Sequence, residues 1–306
     1  MSRSKIEKAI KERQADFLKA TKEVYDGYLT SIQDNLIELF PNCWGKIKEE
    51  LNAGAGSELK GNFLAVHSSS ALCVNNFVPF KAYHKKRSCR LPLGSTTYFG
   101  FDEEPEFETK LRTGLKLPNG EDRTPPHLDF YLENDKTIIG IESKFTEYFG
   151  IKKPNYLSKD RKTKEERNNL EPYRDQKTLD YLPEGFHDKI IEYYYHYNGA
   201  SQHLHIAQLI KHSIGLLKKC RENGKEAVLV YLYWEPTNPT DNLFTNHRDE
   251  IVVFGEKMRQ FEPNIKFIPL SYPKFWELCI DDKSLDDLLK EHIHKVRERY
   301  EFKIEF

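Results

Sequence analysis

The sequence predicts an α/β fold, a mixed central sheet flanked by helices, with a helical extension at its N-terminus. Three observations carry that prediction. The first 52 residues show apolar positions at three- and four-residue steps, and near Thr96 this gives way to aromatic- and threonine-rich segments. A hairpin pattern follows in RTPPHLDFYLENDKTIIGIESKF. An amphipathic helix then leads into EAVLVYLYW, a β-branched and aromatic run of the kind found in central strands.

Taken in order, IEKAIKERQADFLKATKEVYDGYL and SIQDNLIELF read as helices, and the glycines of NAGAGSEL break the pattern. A second helical segment is expected from Glu58 through LKGNFLAVHSSSALCVNNF, followed by a basic loop, KAYHKKRSCRLPLGS. TTYFGFDEEPEFETKL can hold one strand, and the two strands of the hairpin flank an Asn134-Asp135 turn. Residues 150 to 200 are rich in lysine, asparagine and tyrosine and read as a long insertion. In ASQHLHIAQLIKHSIGLLKKC, Ile206, Leu209, Ile210, Ile214 and Leu217 form one apolar stripe. NIKFIPLSYPKFWELC supplies a short strand and the start of a helix, and SLDDLLKEHIHKVRERY is a charged helix. The expected organisation is a helical extension over 1–52, a core over 53–290 with its insertion at about 150–200, and a tail over 291–306.

Composition removes several classes of function. The 306 residues are 38% hydrophobic and 31% charged, and no apolar run has the length of a membrane span. The charged start, MSRSKIEKAIKERQ, has no signal-peptide character, so a cytoplasmic location is expected. Five dispersed cysteines without a CxxC pair suggest neither a disulfide framework nor a cysteine zinc site. With a net charge of −1, any binding to nucleic acid has to rest on local positive charge.

Candidate chemistry is concentrated in the hairpin. Side chains alternate along a strand, so Glu142 and Lys144 share a face while Ile141 and Ser143 take the other. A two-residue turn at Asn134-Asp135 sets Glu133 opposite Lys136 and Asp129 opposite Gly140, where the glycine leaves a gap. Asp129 then lies diagonal to Glu142, roughly 7–8 Å away between backbones, close enough for both carboxylates to reach one hard cation. Such a cation neutralises a phosphodiester and lowers the pKa of bound water, and a lysine two residues on can steer that water or stabilise developing charge. A plain cross-strand charge set is the competing reading. Against it, the ESK segment lies within the apolar run IIGIESKF, where unpaired charge is costly to bury.

Asp129, twelve intervening residues and Glu142-Ser143-Lys144 resemble the PD-(D/E)XK phosphodiesterase superfamily, although Leu128 stands where its motif has proline. GAGSEL, HSSSALCVNNF, TPPHLDFYLE, IESKFTEYF and AQLIKH resemble, in order, the blocks of a bacterial restriction-endonuclease-like branch. The resemblance covers roughly residues 54 to 275 and implies a restriction-endonuclease-like core. It further implies Mg²⁺ or Mn²⁺ held by Asp129 and Glu142, with Lys144 acting on the attacking water. Glu58, at the start of the expected core helix, would be a further metal ligand and Gln208 an auxiliary catalytic residue. Dipole compensation accounts equally for Glu58, and an exposed polar face for Gln208, which shares its helix face with His212. The implied activity is hydrolysis of DNA, as an endonuclease in restriction or defence, without a membrane partner; a homodimer is compatible. The alternative is a nucleic-acid-binding module of the same fold without turnover.

The other polar motifs are less specific. His67, Ser68 and Ser69 suit capping, packing or phosphate contact better than nucleophilic catalysis, since helix neighbours do not face each other. His203/His205 and His292/His294 diverge at i,i+2 and read as surface histidines. The basic runs KAYHKKRSCR, with Lys85, Lys86 and Arg87, and IKKPNYLSKDRKTKEER suit phosphate-backbone contact, and both also fit a solvated loop. The tyrosines Tyr193, Tyr194, Tyr195 and Tyr197 read as packing residues.

Overall fold

EAVLVYLYW forms the strand the sequence predicts, and in the computed structural model it is an interior strand of a five-stranded sheet, second from one edge. Residues 3–54, 59, 61–150, 157–159, 163, 165–197 and 203–305 are described. The sheet strands are β1 (Glu106–Lys110), β2 (His127–Glu133), β3 (Thr137–Lys144), β4 (Glu226–Tyr233) and β5 (Ile265–Ser271), in the spatial order β5-β4-β3-β2-β1. β4 runs parallel to both neighbours, with Val230 between Ile141 and Ile268, and is covered on both faces, so all its residues except Glu226 are buried. β1 and β2 join antiparallel at the other side, which makes the sheet mixed.

Helices cover both faces. The long ones are α1 (Arg3–Lys19), α2 (Pro41–Ala53), α3 (Ser69–Tyr83), α4 (Ile206–Asn223), α5 (Asn242–Arg259), α6 (Tyr272–Asp281) and α7 (Asp287–Tyr300). Phe77 of α3 stacks on Phe130 of β2 at 4.7 Å and packs against Phe275 of α6, which places α3 and α6 on one face. On the other, α4 lays its predicted apolar stripe on β3 and β4, with Leu209, Ile210, Ile214 and Leu217 all buried. Gly224 ends α4 in the left-handed region, at φ 66°, where a side chain would be strained.

Several elements differ from the sequence reading. The helix expected from Glu58 begins only at Ser69, because the Ser68 hydroxyl caps it by accepting the Ala71 N–H. Within the extension, VYDGYL makes a small hairpin through Asp26 and Gly27, and SIQDNLIELF contains only a short 3₁₀ turn, Ile32–Asn35. The basic loop and the segment after it hold a hairpin of Arg90–Leu93 with Thr96–Phe99 as well as β1. α5, capped by Asp241, is an element the sequence reading does not include. Described parts of the insertion contain a short strand pair and a helical turn over His187–Tyr195, where Tyr193, Tyr194 and Tyr197 pack together as expected.

Arg299 ties α7 to the extension. Fully buried, its guanidinium donates to Gln14 Oε1 and to both oxygens of Asn35. Among the described residues no helix is long and apolar enough to cross a membrane.

Candidate functional site

The turn of the β2–β3 hairpin sets the register of the site. Asn134 accepts the N–H groups of Lys136 and Thr137 on its side-chain oxygen, and its own N–H donates to the Thr137 carbonyl. The turn therefore takes four residues rather than two, and Glu133 faces Ile138 instead of Lys136. Gly140 in consequence faces Tyr131, not Asp129. The gap expected at Gly140 is filled: a Cβ there would lie 2.5 Å from Leu128 Cδ1 and 3.1 Å from Leu216 Cδ1.

Asp129 occupies a different position from the one this register shift removes. Its pairing with β3 runs from Glu133 down to Phe130↔Ile141, and at the next position the Asp129 carboxylate itself accepts the Ser143 N–H at 2.6 Å. The side chain thus takes over a donor of the strand at the level of Glu142-Ser143-Lys144. Ser143 is held from its other end by a 2.7 Å hydrogen bond to the Tyr272 hydroxyl at the start of α6.

Glu142 points to α4. Its side chain is 1% exposed and meets the Lys144 ammonium on one oxygen and His212 Nε2, at 2.9 Å, on the other. Both groups approach at hydrogen-bond distance but with poor alignment, so neither carboxylate oxygen makes a well-directed hydrogen bond. Burial pushes the Glu142 carboxyl up, but Lys144 and His212 outweigh it and hold the pKa at about 2. Burial lowers the Lys144 ammonium, yet Glu142 and then Asp129 prevail and raise it above its ordinary range. Asp129 is pushed well up, by burial and then by the Glu142 charge. The two carboxylates therefore share one electrostatic environment, in which Asp129 is the one pushed up and Glu142 the one held down.

A third carboxylate adjoins them. The β1–β2 register passes from Phe107↔Phe130 to Thr109↔Leu128 and leaves Glu108 and Asp129 between the paired positions. Glu108 stands at φ 53°, a strained backbone for a glutamate. Its carboxylate lies 3.7 Å from His127 Nδ1 and raises the Asp129 pKa further. Cys73 of α3 feels Asp129, Glu108 and Glu142 together, and burial foremost keeps its thiol protonated.

The remaining sequence candidates are placed as follows. Glu58 lies outside the described residues. Gln208 is half-buried one turn before His212, and among the described residues no hydrogen bond links its side chain to Asp129, Glu142 or Lys144. His212 carries the polar contact on that helix; its one sequence signal was its place four residues after Gln208. Glu108 had none, since it depends on the backbone turning over within β1. Lys85, Lys86 and Arg87 are exposed in the turn after α3, about 15 Å along the helix axis from Cys73. The paired histidines are not all on the surface. His203 is buried with Nδ1 on the Tyr148 carbonyl, and His292 is buried with Nε2 on the Asn75 carbonyl, each fixing neighbouring elements.

Among the described residues no three His, Cys, Asp or Glu side chains form a metal-ligand group. The residues present nevertheless fit a hard divalent cation of the Mg²⁺ type, which uses one or two carboxylates and takes its other ligands from water and phosphate. Glu142 offers two buried oxygens that Lys144 and His212 approach without well-directed hydrogen bonds, and Asp129 supplies the second carboxylate.

Fold and cluster together define an α/β protein with a mixed five-stranded sheet and a buried acid–acid–lysine centre on adjacent antiparallel strands. The chain belongs to the family described as restriction endonuclease associating with ARP, whose model matches residues 6–301. This membership agrees with the restriction-endonuclease-like resemblance of the ordered sequence blocks. No curated protein and no solved structure matches the chain.

Proposed function

We propose that this protein is a metal-dependent endonuclease of the PD-(D/E)XK type that hydrolyses phosphodiester bonds of DNA in restriction or defence. The single observation that carries the reading is the junction of β2 and β3, where Asp129 reaches the Ser143 N–H beside a buried Glu142–Lys144 pair. Family membership supports the nuclease class, and the mixed sheet supports a restriction-endonuclease-like core.

In this reading Asp129 and Glu142 hold Mg²⁺ or Mn²⁺, which would neutralise the scissile phosphate and make water more acidic. Lys144 stays protonated beside Glu142, so it orients the attacking water and stabilises charge developing on the phosphate, rather than removing a proton. His212 positions Glu142 from the far side. Ser143 N–H and Tyr272 fix the strand at the level where substrate must lie. Gln208 and Glu58 are auxiliary in the proposal. Lys85, Lys86 and Arg87 would touch the DNA backbone only peripherally, given their place at the far end of α3.

The test is incubation of the purified chain with supercoiled plasmid, with and without Mg²⁺, beside an Asp129→Asn variant. Nicking or linearisation that needs both the cation and Asp129 is the expected result. Parent protein that binds DNA without cutting it, with Mg²⁺ and with Mn²⁺, would replace the nuclease with a binding module of the same fold.

A further inference from the structure

A groove of about 1200 Å³ runs along β1, between α2 and the segment that joins β1 to β2. It exceeds the roughly 300–1000 Å³ typical of small-molecule pockets, a size that suits part of a polymer. Its two ends differ in charge. At one end Glu106 and Glu108 lie with Lys46, Glu49 and Glu50 of α2, Glu50 being paired with the buried Lys81, and Glu108 and His127 connect this end to Asp129. The other end gathers Arg112, Lys116, Arg123, Lys218 and Lys219 around Asp122, with Lys218 also paired to the more exposed Glu222 at 2.7 Å.

Contacts hold the basic end together. Lys116 pairs with Asp122, on which Arg112 and Lys218 also act. The Lys218 chain passes 3.1 Å from where a Gly114 Cβ would stand, and the Arg123 N–H donates to the Leu115 carbonyl. Lys219 lies 4.0 Å over the ring of Tyr131, which faces Gly140 across the hairpin. Gly140 is two residues from Glu142, roughly 7 Å along the strand. The basic end thus begins within reach of the carboxylates without touching them, and Arg112 and Arg123 have no ion-pair partner among the described residues.

We propose that the basic end of this groove, centred on Arg112, Arg123 and Lys218, holds the phosphate backbone of duplex DNA beside the bond placed at Asp129 and Glu142. This rests on the nuclease reading for the position of the scissile bond. The charge division has a physical consequence: acids at one end recruit a cation, and cations at the other neutralise neighbouring phosphates. The principal backbone contact is then this groove and not the Lys85–Arg87 turn.

The experiment is fluorescence anisotropy with a labelled 20-base-pair DNA duplex in chelator, across a salt series. It compares the parent, Arg112→Glu/Lys218→Glu, the milder Arg112→Gln/Lys218→Gln, and Lys85→Glu/Lys86→Glu. Circular dichroism melts confirm that each variant folds. Groove reversal should weaken binding at least about tenfold, and the glutamine pair should flatten the slope of log K against log salt by about 1.8, since each phosphate contact contributes about 0.9. Turn reversal should cost less than about threefold. Groove variants that bind within twofold of the parent, or a turn variant that loses as much as the groove variant, would overturn the proposal, as would a parent that does not bind the duplex. Because the readout is binding without metal, it fails separately from the nuclease reading: a parent that cuts plasmid while the groove variants bind normally sinks the groove alone.

Discussion

Lys144→Ala tests how the buried charges are balanced. Glu142 is fully buried, yet Lys144 and His212 lower its pKa from 4.5 to about 2. That difference corresponds to about 3 kcal/mol favouring the ionised carboxylate, at 1.36 kcal/mol per unit. Lys144 is the stronger of the two partners, so its loss leaves a buried carboxylate with His212 alone. Breaking one side of a buried ion pair typically costs about 3–5 kcal/mol, in agreement with the figure from the carboxylate. Without divalent cation, Lys144→Ala should therefore be destabilised by about 3 kcal/mol, a drop of roughly 5 °C in Tm for a chain of 306 residues. In the proposed reading, a cation held by Asp129 and Glu142 would supply the missing positive charge. Mg²⁺ should then raise the Tm of the variant by more than that of the parent, and the variant's Mg²⁺ affinity should equal or exceed the parent's. Cleavage should still fall by about 10²–10³, because the water and the developing charge lose their partner. Arginine should rescue stability better than rate, since its planar fork does not fit where a compact ammonium stood. The assays are thermal melts with and without Mg²⁺, Mg²⁺ titration, and single-turnover cleavage. Unchanged Tm in the metal-free variant, or equal Mg²⁺ stabilisation of both proteins, would refute the electrostatic reasoning; cutting at the parental rate would leave Lys144 a strand charge only.

Three further outcomes follow from the site. Asp129→Asn and Glu142→Gln should each weaken Mg²⁺ binding in calorimetry, because each removes a hard oxygen ligand, and parental affinity in both would dissociate the carboxylates from the metal. The Asp129 pKa is raised above 3.8 by burial and Glu142, so its contribution to metal-free stability is full below 3.8 and is lost as pH rises through the raised value. Mg²⁺ binding should accordingly release a proton and tighten with rising pH over that window; pH-independent affinity in titrations would contradict it. Gly140→Ala puts a methyl 2.5 Å from Leu128 Cδ1, a side chain adjoining Asp129, and should cost about 1–3 kcal/mol in denaturant unfolding; a neutral change would mean that Leu128 gives way freely.

Local patterns were enough to reveal the parts that depend on period and composition. The alternating hairpin, the apolar run of β4 and the stripe of α4 are each visible in a short window, because burial imposes a two- or 3.6-residue period on the chain itself. The grouping of Asp129, Glu142 and Lys144 was legible for the same reason: all three lie on one hairpin. Register was not legible, because it turned on whether the Asn134 side chain would bond within the turn and lengthen it to four residues. That choice moved Gly140 away from Asp129 and against Leu128 and Leu216.

By itself, then, the sequence determined the central elements (the β2–β3 hairpin, strand β4 and helix α4) and which hairpin carries the acids and the lysine, since near-neighbour periodicity encodes both. Only the tertiary structure decided what surrounds them. His212 reaches Glu142 because α4 packs across β3 from 68 residues or more along the chain, as the paired numbers Glu142, Lys144 and His212 make plain, and Glu108 reaches Asp129 because β1 turns over at one residue of its ladder. The groove likewise joins α2, β1 and α4, and the charges that balance at a site come from whatever packing brings within a few ångströms, a distance that has no fixed relation to separation in sequence.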